Sequence, residues 1–148
     1  MTTNIQLNLA LSKYRKKGFL GVYANDTTPK SIRFGEAFIT NLEPTTKGGS
    51  HWVCVLGGAI NGMNLYVDSY GFHSPDSFMP MLKNESGYFK FSTSQYQSVD
   101  SIKCGEFCCY FIAKFLDGRN IYDLFYKDLE PGRYVKNDQI VSSFFKNL

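Results

Sequence analysis

The sequence predicts an α+β domain, spanning residues 1–148, in which an antiparallel sheet packs on one central, buried helix. Residues 107–116 carry a single charge, Lys114, and are apolar on nearly every face, which is typical of a buried helix. Strand-like runs precede this segment and amphipathic helical patterns follow it. A chain of 148 residues that is 43% hydrophobic, with no repeat and no linker, fits one domain with an ample core.

The first half of the chain predicts one helix, a short extended segment and three strands. An apolar stripe at helical spacing, ended by Gly18, predicts the helix, and extended apolar runs predict the strands. Segments with Pro or Gly between the strands predict loops. The stripe is Leu7, Ala10, Leu11 and Tyr14; the extended segment is residues 19–23; the strands are residues 34–41, 51–56 and 63–69; the loops are residues 25–30 and 43–50.

The Asn61-Gly62 pair is the strongest hairpin signal in the sequence. It joins the strand that follows His51 to the strand that precedes Asp68. The spacing therefore predicts that His51 and Asp68 lie near each other at the open end of one antiparallel hairpin.

The second half predicts a short helix at residues 75–84, a strand at 88–92, and a polar loop that leads to Cys104. Asp117-Gly118 ends the central helix. Two amphipathic helices follow, the last of them capped by Asn137. The apolar stripes of these helices are Ile121, Leu124 and Phe125, and then Ile140, Val141, Phe144, Phe145 and Leu148.

Composition excludes several classes of protein. No apolar run approaches the roughly 20 residues of a membrane span, and the N-terminus has no secretory signal pattern. Without an export signal, four cysteines do not indicate a disulfide framework, so a reducing intracellular environment is expected. The net charge of +3 arises in the first half, where Lys13, Arg15, Lys16 and Lys17 form a cluster that predicts either DNA contact or a solvated helix end.

Cys104 lies before Gly105 at the predicted start of the central helix. The helix dipole there favours a thiolate, and free backbone N–H groups can hold a developing negative oxygen. We therefore predict that Cys104 is a nucleophile. The alternative is that it packs as a small hydrophobic residue, as expected for Cys54, Cys108 and Cys109.

Three further residues supply what a thiol nucleophile needs. His51 is the candidate base, and Asp68 is the candidate acceptor that orients the imidazole. The Gln97 amide, with the Cys104 backbone N–H, is the candidate oxyanion hole. Taken separately, His51 reads as a structural hydrogen-bonding residue, Asp68 as a turn residue and Gln97 as a loop amide. His73, in a turn, is assigned no role.

These residues also carry a family resemblance. Residues 48–52 resemble the histidine motif of the adenovirus-type maturation proteases (adenain), residues 66–72 resemble their acid motif, and residues 97–109 resemble their glutamine and nucleophile motif. Residues 19–23 are similar to the family's N-terminal segment. The resemblance runs from about residue 5 to about residue 118, with the motifs in order and at the family's intervals.

The resemblance implies a papain-like, adenain-like cysteine endopeptidase, related to the proteases of SUMO and ubiquitin-like proteins, with Cys104, His51, Asp68 and Gln97 as functional residues. It implies viral capsid or other virion precursor proteins as substrates, cleaved at small, glycine-containing sites. It further implies a monomer in the virion and the infected host cell. The chemistry requires no cofactor and no metal. No feature of the sequence supports activation by a peptide. Activation by DNA is supported only by the basic cluster.

The chain departs from the adenoviral pattern in three ways. Its acid is Asp68 where adenoviral enzymes usually have Glu, it is shorter, and near Ser86 it lacks the cysteine that links to an activating peptide. By analogy, a compact version fits a virus of the virophage or Maverick/Polinton type.

Three other functions stay open from the sequence. The first is a deconjugating protease that removes ubiquitin-like modifiers from host proteins. The second is a non-catalytic binding module, which the complete set of four site residues disfavours. The third is a zinc site using Cys104, Cys108, Cys109 and His51, whose cysteine spacing does not match paired zinc knuckles.

Overall fold

The computed structural model describes residues 2–42, 51–84 and 87–148. The strands are β1 Phe19–Tyr23, β2 Ala37–Asn41, β3 Trp52–Ile60, β4 Met63–Val67 and β5 Lys90–Phe91. The α-helices are α1 Asn4–Ala10, α2 Met79–Leu82, α3 Cys104–Leu116, α4 Ile121–Asp123 and α5 Tyr134–Lys146. Two 3₁₀ helices, Ser12–Lys17 and Asp76–Phe78, and a π-helical turn, Leu124–Asp128, complete the regular structure.

The five strands form one sheet in the order β1-β2-β3-β4-β5. The three central strands are antiparallel, as predicted, whereas β1 pairs with β2 and β5 pairs with β4 in parallel. Parallel neighbours need a long crossover, and the segments 24–36 and 68–89 are long enough to provide it. The α+β prediction is therefore confirmed, with parallel pairing added at both edges of the sheet.

The predicted hairpin between β3 and β4 is present. Asn61 and Gly62 both have positive φ, 51° and 81°, as a tight two-residue hairpin turn requires. The pairing shifts by two residues between Ile60 and Leu56. Beyond this shift, toward the open end of the hairpin, Cys54 lies opposite Val67. Continued past the strand ends, this register brings residue 51 opposite residue 70, so the open end of the hairpin gathers His51, Asp68 and Tyr70.

Helix α3 is the buried centre of the fold, as predicted. It packs on β3, and its residues from Cys104 to Ala113 are all buried. Gly118, with φ of 88°, follows the helix and ends it. On the other side α3 contacts α5, so the helix lies between the sheet and the C-terminal helix. A thiol at its first residue is therefore held by a rigid element.

Several element boundaries differ from the predictions. The strand predicted from residue 34 begins only at Ala37, because a turn joins the Glu36 N–H to the Arg33 carbonyl. The strand predicted at 88–92 is reduced to β5, and the single N-terminal helix is divided into α1 and a 3₁₀ helix. The loop predicted at 43–50 lies outside the described residues. So does Ser86, near which the adenoviral enzymes have the cysteine that links to an activating peptide.

The predicted cap of the last helix is wrong. Helix α5 begins at Tyr134, and Asn137 lies inside it, fully buried. Its amide donates to the carbonyls of Tyr96 (3.0 Å) and Glu130 (2.7 Å) and accepts from the Glu130 N–H (3.2 Å). Asn is frequent at helix N-caps, which is why the sequence predicted one here. In the structure its side chain instead binds the carbonyls of Tyr96 and Glu130.

Candidate active site

Cys104 is the first residue of α3 and is 2% exposed. Its Sγ accepts a hydrogen bond from the backbone N–H of Trp52, at 3.5 Å. The unpaired N–H groups of the first helical turn surround the same position. Both direct partial positive charge toward the sulfur. The predicted nucleophile therefore lies at a helix N-terminus and against strand β3.

His51 and Asp68 meet at the open end of the hairpin. His51 Nε2 lies 2.8 Å from Asp68 Oδ1, and the two side chains are 13% and 2% exposed. The same carboxylate oxygen accepts the backbone N–H of Tyr70 at 2.8 Å. These two contacts fix the carboxylate and select the orientation of the imidazole. The structure thus brings together the residues that the hairpin spacing predicted.

The second ring nitrogen of His51 lies in the neighbourhood of Cys104, whose Sγ contacts the N–H of Trp52, the residue after His51. Nδ1 is buried and has no hydrogen bond within normal geometry to any described residue, while Nε2 is held by Asp68. Burial lowers the pKa of His51, but interactions with Asp68 and Cys104 outweigh it and raise this pKa to about 9. Since Asp68 holds Nε2, Nδ1 is the nitrogen left for Cys104. The imidazole is therefore placed to exchange a proton with the sulfur.

Tyr70 is a site residue that the sequence reasoning did not identify. Its ring stacks on the His51 ring, with centroids 4.4 Å apart and planes at 11°. Burial, and then the charges of Cys104 and Asp68, raise the pKa of Tyr70, so its phenol stays neutral. The only signal in the sequence was its position two residues after Asp68. Its contact with His51 arises from the shifted hairpin register.

We expect Tyr70→Leu to lower kcat about tenfold, because a stacked ring pair contributes roughly 1 kcal/mol and also restricts rotation of the imidazole. Tyr70→Phe keeps the ring and loses only a long hydrogen bond to the Ser101 carbonyl, 3.3 Å. It should therefore retain most of the activity. Steady-state turnover of both variants tests this prediction, which fails if Leu and Phe behave alike.

Gln97 is fully buried in the loop before α3. Its Oε1 accepts the Ser69 hydroxyl at 2.5 Å, and its Nε2 donates to the Ser101 carbonyl at 2.9 Å. Ser101 is three residues before Cys104, and its hydroxyl also accepts the Lys103 N–H at 3.2 Å. The hydrogen bonds from Gln97 to Ser101 and from Lys103 to Ser101 thus connect Gln97 to the start of α3. Its oxyanion role stays a prediction.

The other three cysteines are buried and free, as expected for packing residues. Burial, and then a hydrogen bond with Cys54, raises the pKa of Cys108 well above its usual value. Burial likewise raises the pKa of Cys109. The Cys108 and Cys109 thiols therefore stay protonated and unreactive at neutral pH. Among the described residues, no group of three His, Cys, Asp or Glu side chains is arranged to hold a metal ion.

The basic cluster is partly occupied by contacts within the chain. The Arg15 guanidinium donates to the Leu20 carbonyl (3.1 Å) and to Asn8 (2.8 Å), and Lys17 pairs with Asp117 at 2.9 Å. Lys13 and Lys16 are exposed. His73, assigned no role, hydrogen-bonds the neighbouring Ser74 carbonyl. In the part of the chain that the structure describes, no helix has the length and apolar character to cross a membrane.

Known proteins resemble this chain in sequence and in fold. No family model matches the chain. A mimivirus protein named as a thiol protease, R355 of Acanthamoeba polyphaga mimivirus, is 32% identical over 92 residues. That match covers 55% of this chain, but the chain spans only 30% of the mimivirus protein.

Two crystal structures of the ASFV pS273R protease have a similar fold. One matches with a TM-score of 0.65 and 14% identity, covering 99% of this chain and 66% of that one. The selenomethionine form matches with a TM-score of 0.61 and 14% identity, covering 100% and 67%. The α+β fold prediction is confirmed by this likeness. The name of the mimivirus protein agrees with the prediction of a thiol protease.

Proposed function

We propose that the chain is a viral cysteine endopeptidase with Cys104 as nucleophile, His51 as general acid and base, and Asp68 as the residue that orients His51. The observation that carries this proposal is the arrangement of the imidazole. One nitrogen is held by a buried carboxylate at 2.8 Å, and the other is buried without a hydrogen-bond partner among the described residues, close to a thiol at the start of a buried helix.

The proposed chemistry follows from these positions. Cys104 Sγ transfers its proton to His51 Nδ1 and attacks the carbonyl carbon of the scissile peptide bond. The oxyanion is held by the Cys104 N–H and the Gln97 amide. His51 then protonates the leaving amine, and a thioester remains on Cys104. A water molecule that gives its proton to His51 hydrolyses the thioester and frees the thiol.

The proposed substrates are virion precursor proteins cleaved at small, glycine-containing sites. This substrate class comes from the resemblance to adenovirus-type proteases, together with the thiol-protease name of the mimivirus relative. A buried nucleophile supports it, because a thiol that is 2% exposed is reached most readily by a backbone without bulky side chains. Localisation in the virion and a monomeric state remain part of the proposal.

The test is to incubate the purified protein with the major capsid precursor from the same genome and to measure intact masses. New fragments that end after a small residue are expected. If the precursor stays intact while a ubiquitin-like-modifier thiol probe labels Cys104, the protein is instead a deconjugating protease. If neither occurs, the proposed function is wrong.

DNA contact is a separate proposal and a smaller one. It concerns chiefly the exposed Lys13 and Lys16, because Arg15 and Lys17 already have partners within the chain. Electrostatic binding of this kind weakens steeply with salt. Turnover that is unchanged by added duplex DNA at low salt would contradict it.

A further inference from the structure

The Ser101 hydroxyl is the centre of a hydrogen-bond cluster between the loop before α3 and the C-terminal helix. It donates to Asp138 Oδ2 at 2.9 Å. It accepts the Lys103 N–H at 3.2 Å and lies 3.3 Å from Gln97 Nε2. One hydroxyl of the 98–103 loop therefore contacts helix α5, the candidate oxyanion amide and the backbone N–H of the residue before Cys104.

Asp138 sets the direction of these hydrogen bonds. A serine hydroxyl has one hydrogen and two lone pairs, and an ionised carboxylate can only accept. With the Ser101 hydrogen on Asp138, the Ser101 oxygen is left to accept from both Gln97 and Lys103. Asp138 Oδ1 is buried and has no hydrogen-bond partner among the described residues, so Ser101 is the polar group that holds this carboxylate.

The orientation of the Gln97 amide follows from the same cluster. The Ser101 carbonyl can only accept, so the atom 2.9 Å from it must be the amide nitrogen. The Ser69 hydroxyl then donates to Oε1, and the backbone N–H of Gln97 donates to the Ser69 carbonyl at 3.1 Å. One hydrogen of the amide nitrogen is used by the Ser101 carbonyl. The other makes only the long contact with the Ser101 hydroxyl, 3.3 Å, and in the proposed mechanism it exchanges this contact for the oxyanion.

Helix α5 holds this loop at a second point. The buried Asn137 amide donates to the Tyr96 carbonyl at 3.0 Å, directly before Gln97. Asn137 and Asp138 are consecutive in α5, so one turn of the helix contacts the loop on both sides of Gln97. This turn lies beyond residue 118, where the resemblance to adenovirus-type proteases ends.

We propose that Asp138 is a positioning residue that, through Ser101, holds the Gln97 amide and the start of α3 in the geometry of an oxyanion hole. The inference rests on the proposed function, since it concerns the same site. Asp138 acts through Ser101 and does not itself contact the substrate. Its effect is therefore on the stability of the oxyanion and not on formation of the nucleophile.

The test compares Asp138→Ala with Asp138→Asn, which keeps a carbonyl oxygen able to accept the Ser101 hydrogen. We expect Asp138→Ala to lower kcat by on the order of tenfold to a hundredfold with KM nearly unchanged, because small displacements of an oxyanion donor are costly. Asp138→Asn should retain most of the turnover. Gln139→Ala, at an exposed position of the same helix, is the matched control.

Two further measurements separate positioning from loss of stability. The rate at which iodoacetamide alkylates Cys104 should be unchanged in Asp138→Ala, because that reaction needs no oxyanion hole. In a Gln97→Ala background, Asp138→Ala should cause little additional loss of kcat. Full turnover in Asp138→Ala, an additive loss in the double variant, or slowed alkylation would each overturn the inference. A wild type that alkylates normally but cleaves no precursor would instead overturn the proposed function.

Discussion

Cys104→Ala should abolish peptide hydrolysis while leaving the fold intact. Cys104 is the first residue of α3, and its sulfur accepts only one hydrogen bond from the described backbone, that of Trp52. Removing the buried sulfur should cost about 1 kcal/mol of stability, which the fold tolerates, but no other group at this position can form the thioester. Loss of a nucleophile typically lowers kcat by at least about 10⁴-fold. The small rate that remains comes from substrate binding and the oxyanion hole alone.

The matched control is Cys108→Ala, one turn further along the same helix and equally buried, at 3% against 2% exposure. Its thiol contacts Cys54 and not the imidazole, so we expect full turnover and a loss of stability of about 1 kcal/mol. Turnover and the thermal midpoint of both variants are the measurements. Appreciable hydrolysis by Cys104→Ala would show that the nucleophile is another residue.

Asp68→Asn should produce the second large effect and also shift the pH profile. The variant keeps the shape of the side chain but loses the charge that stabilises the imidazolium, so kcat should fall by roughly 10²–10⁴-fold. In the wild type, interactions with Asp68 and Cys104 outweigh burial and raise the pKa of His51 to about 9. The active ion pair needs the proton on His51, so activity should decline as the pH rises through about 9.

Without the Asp68 charge the pKa of His51 is lower, and the alkaline decline of the residual activity should begin at a lower pH. The measurement is kcat/KM of wild type and Asp68→Asn between pH 5 and 10, at constant ionic strength. Asp117→Asn is a suitable control, because this exposed carboxylate pairs with Lys17 far from the site. An alkaline limb that does not move in Asp68→Asn would exclude the proposed role of the carboxylate.

Most of the fold was predictable because its signals are local. The apolar run that became α3, the glycine that ends it and the Asn61-Gly62 turn each act within a few residues. The hairpin spacing also brought His51 and Asp68 together. Strand lengths and edge pairing were less predictable, since the parallel partners of β2 and β4 depend on where long crossovers return.

The proposed catalytic set of Cys104, His51 and Asp68 could be predicted from the sequence alone, because each lies at the end of an element whose limits the sequence marks. Only the tertiary structure shows the residues that orient them. The two-residue shift in the hairpin brings Tyr70 onto the imidazole, and the packing of α5 brings Asp138 to Ser101. Such contacts join segments up to 37 positions apart, and their geometry depends on how the whole core packs, which no local pattern of residues encodes.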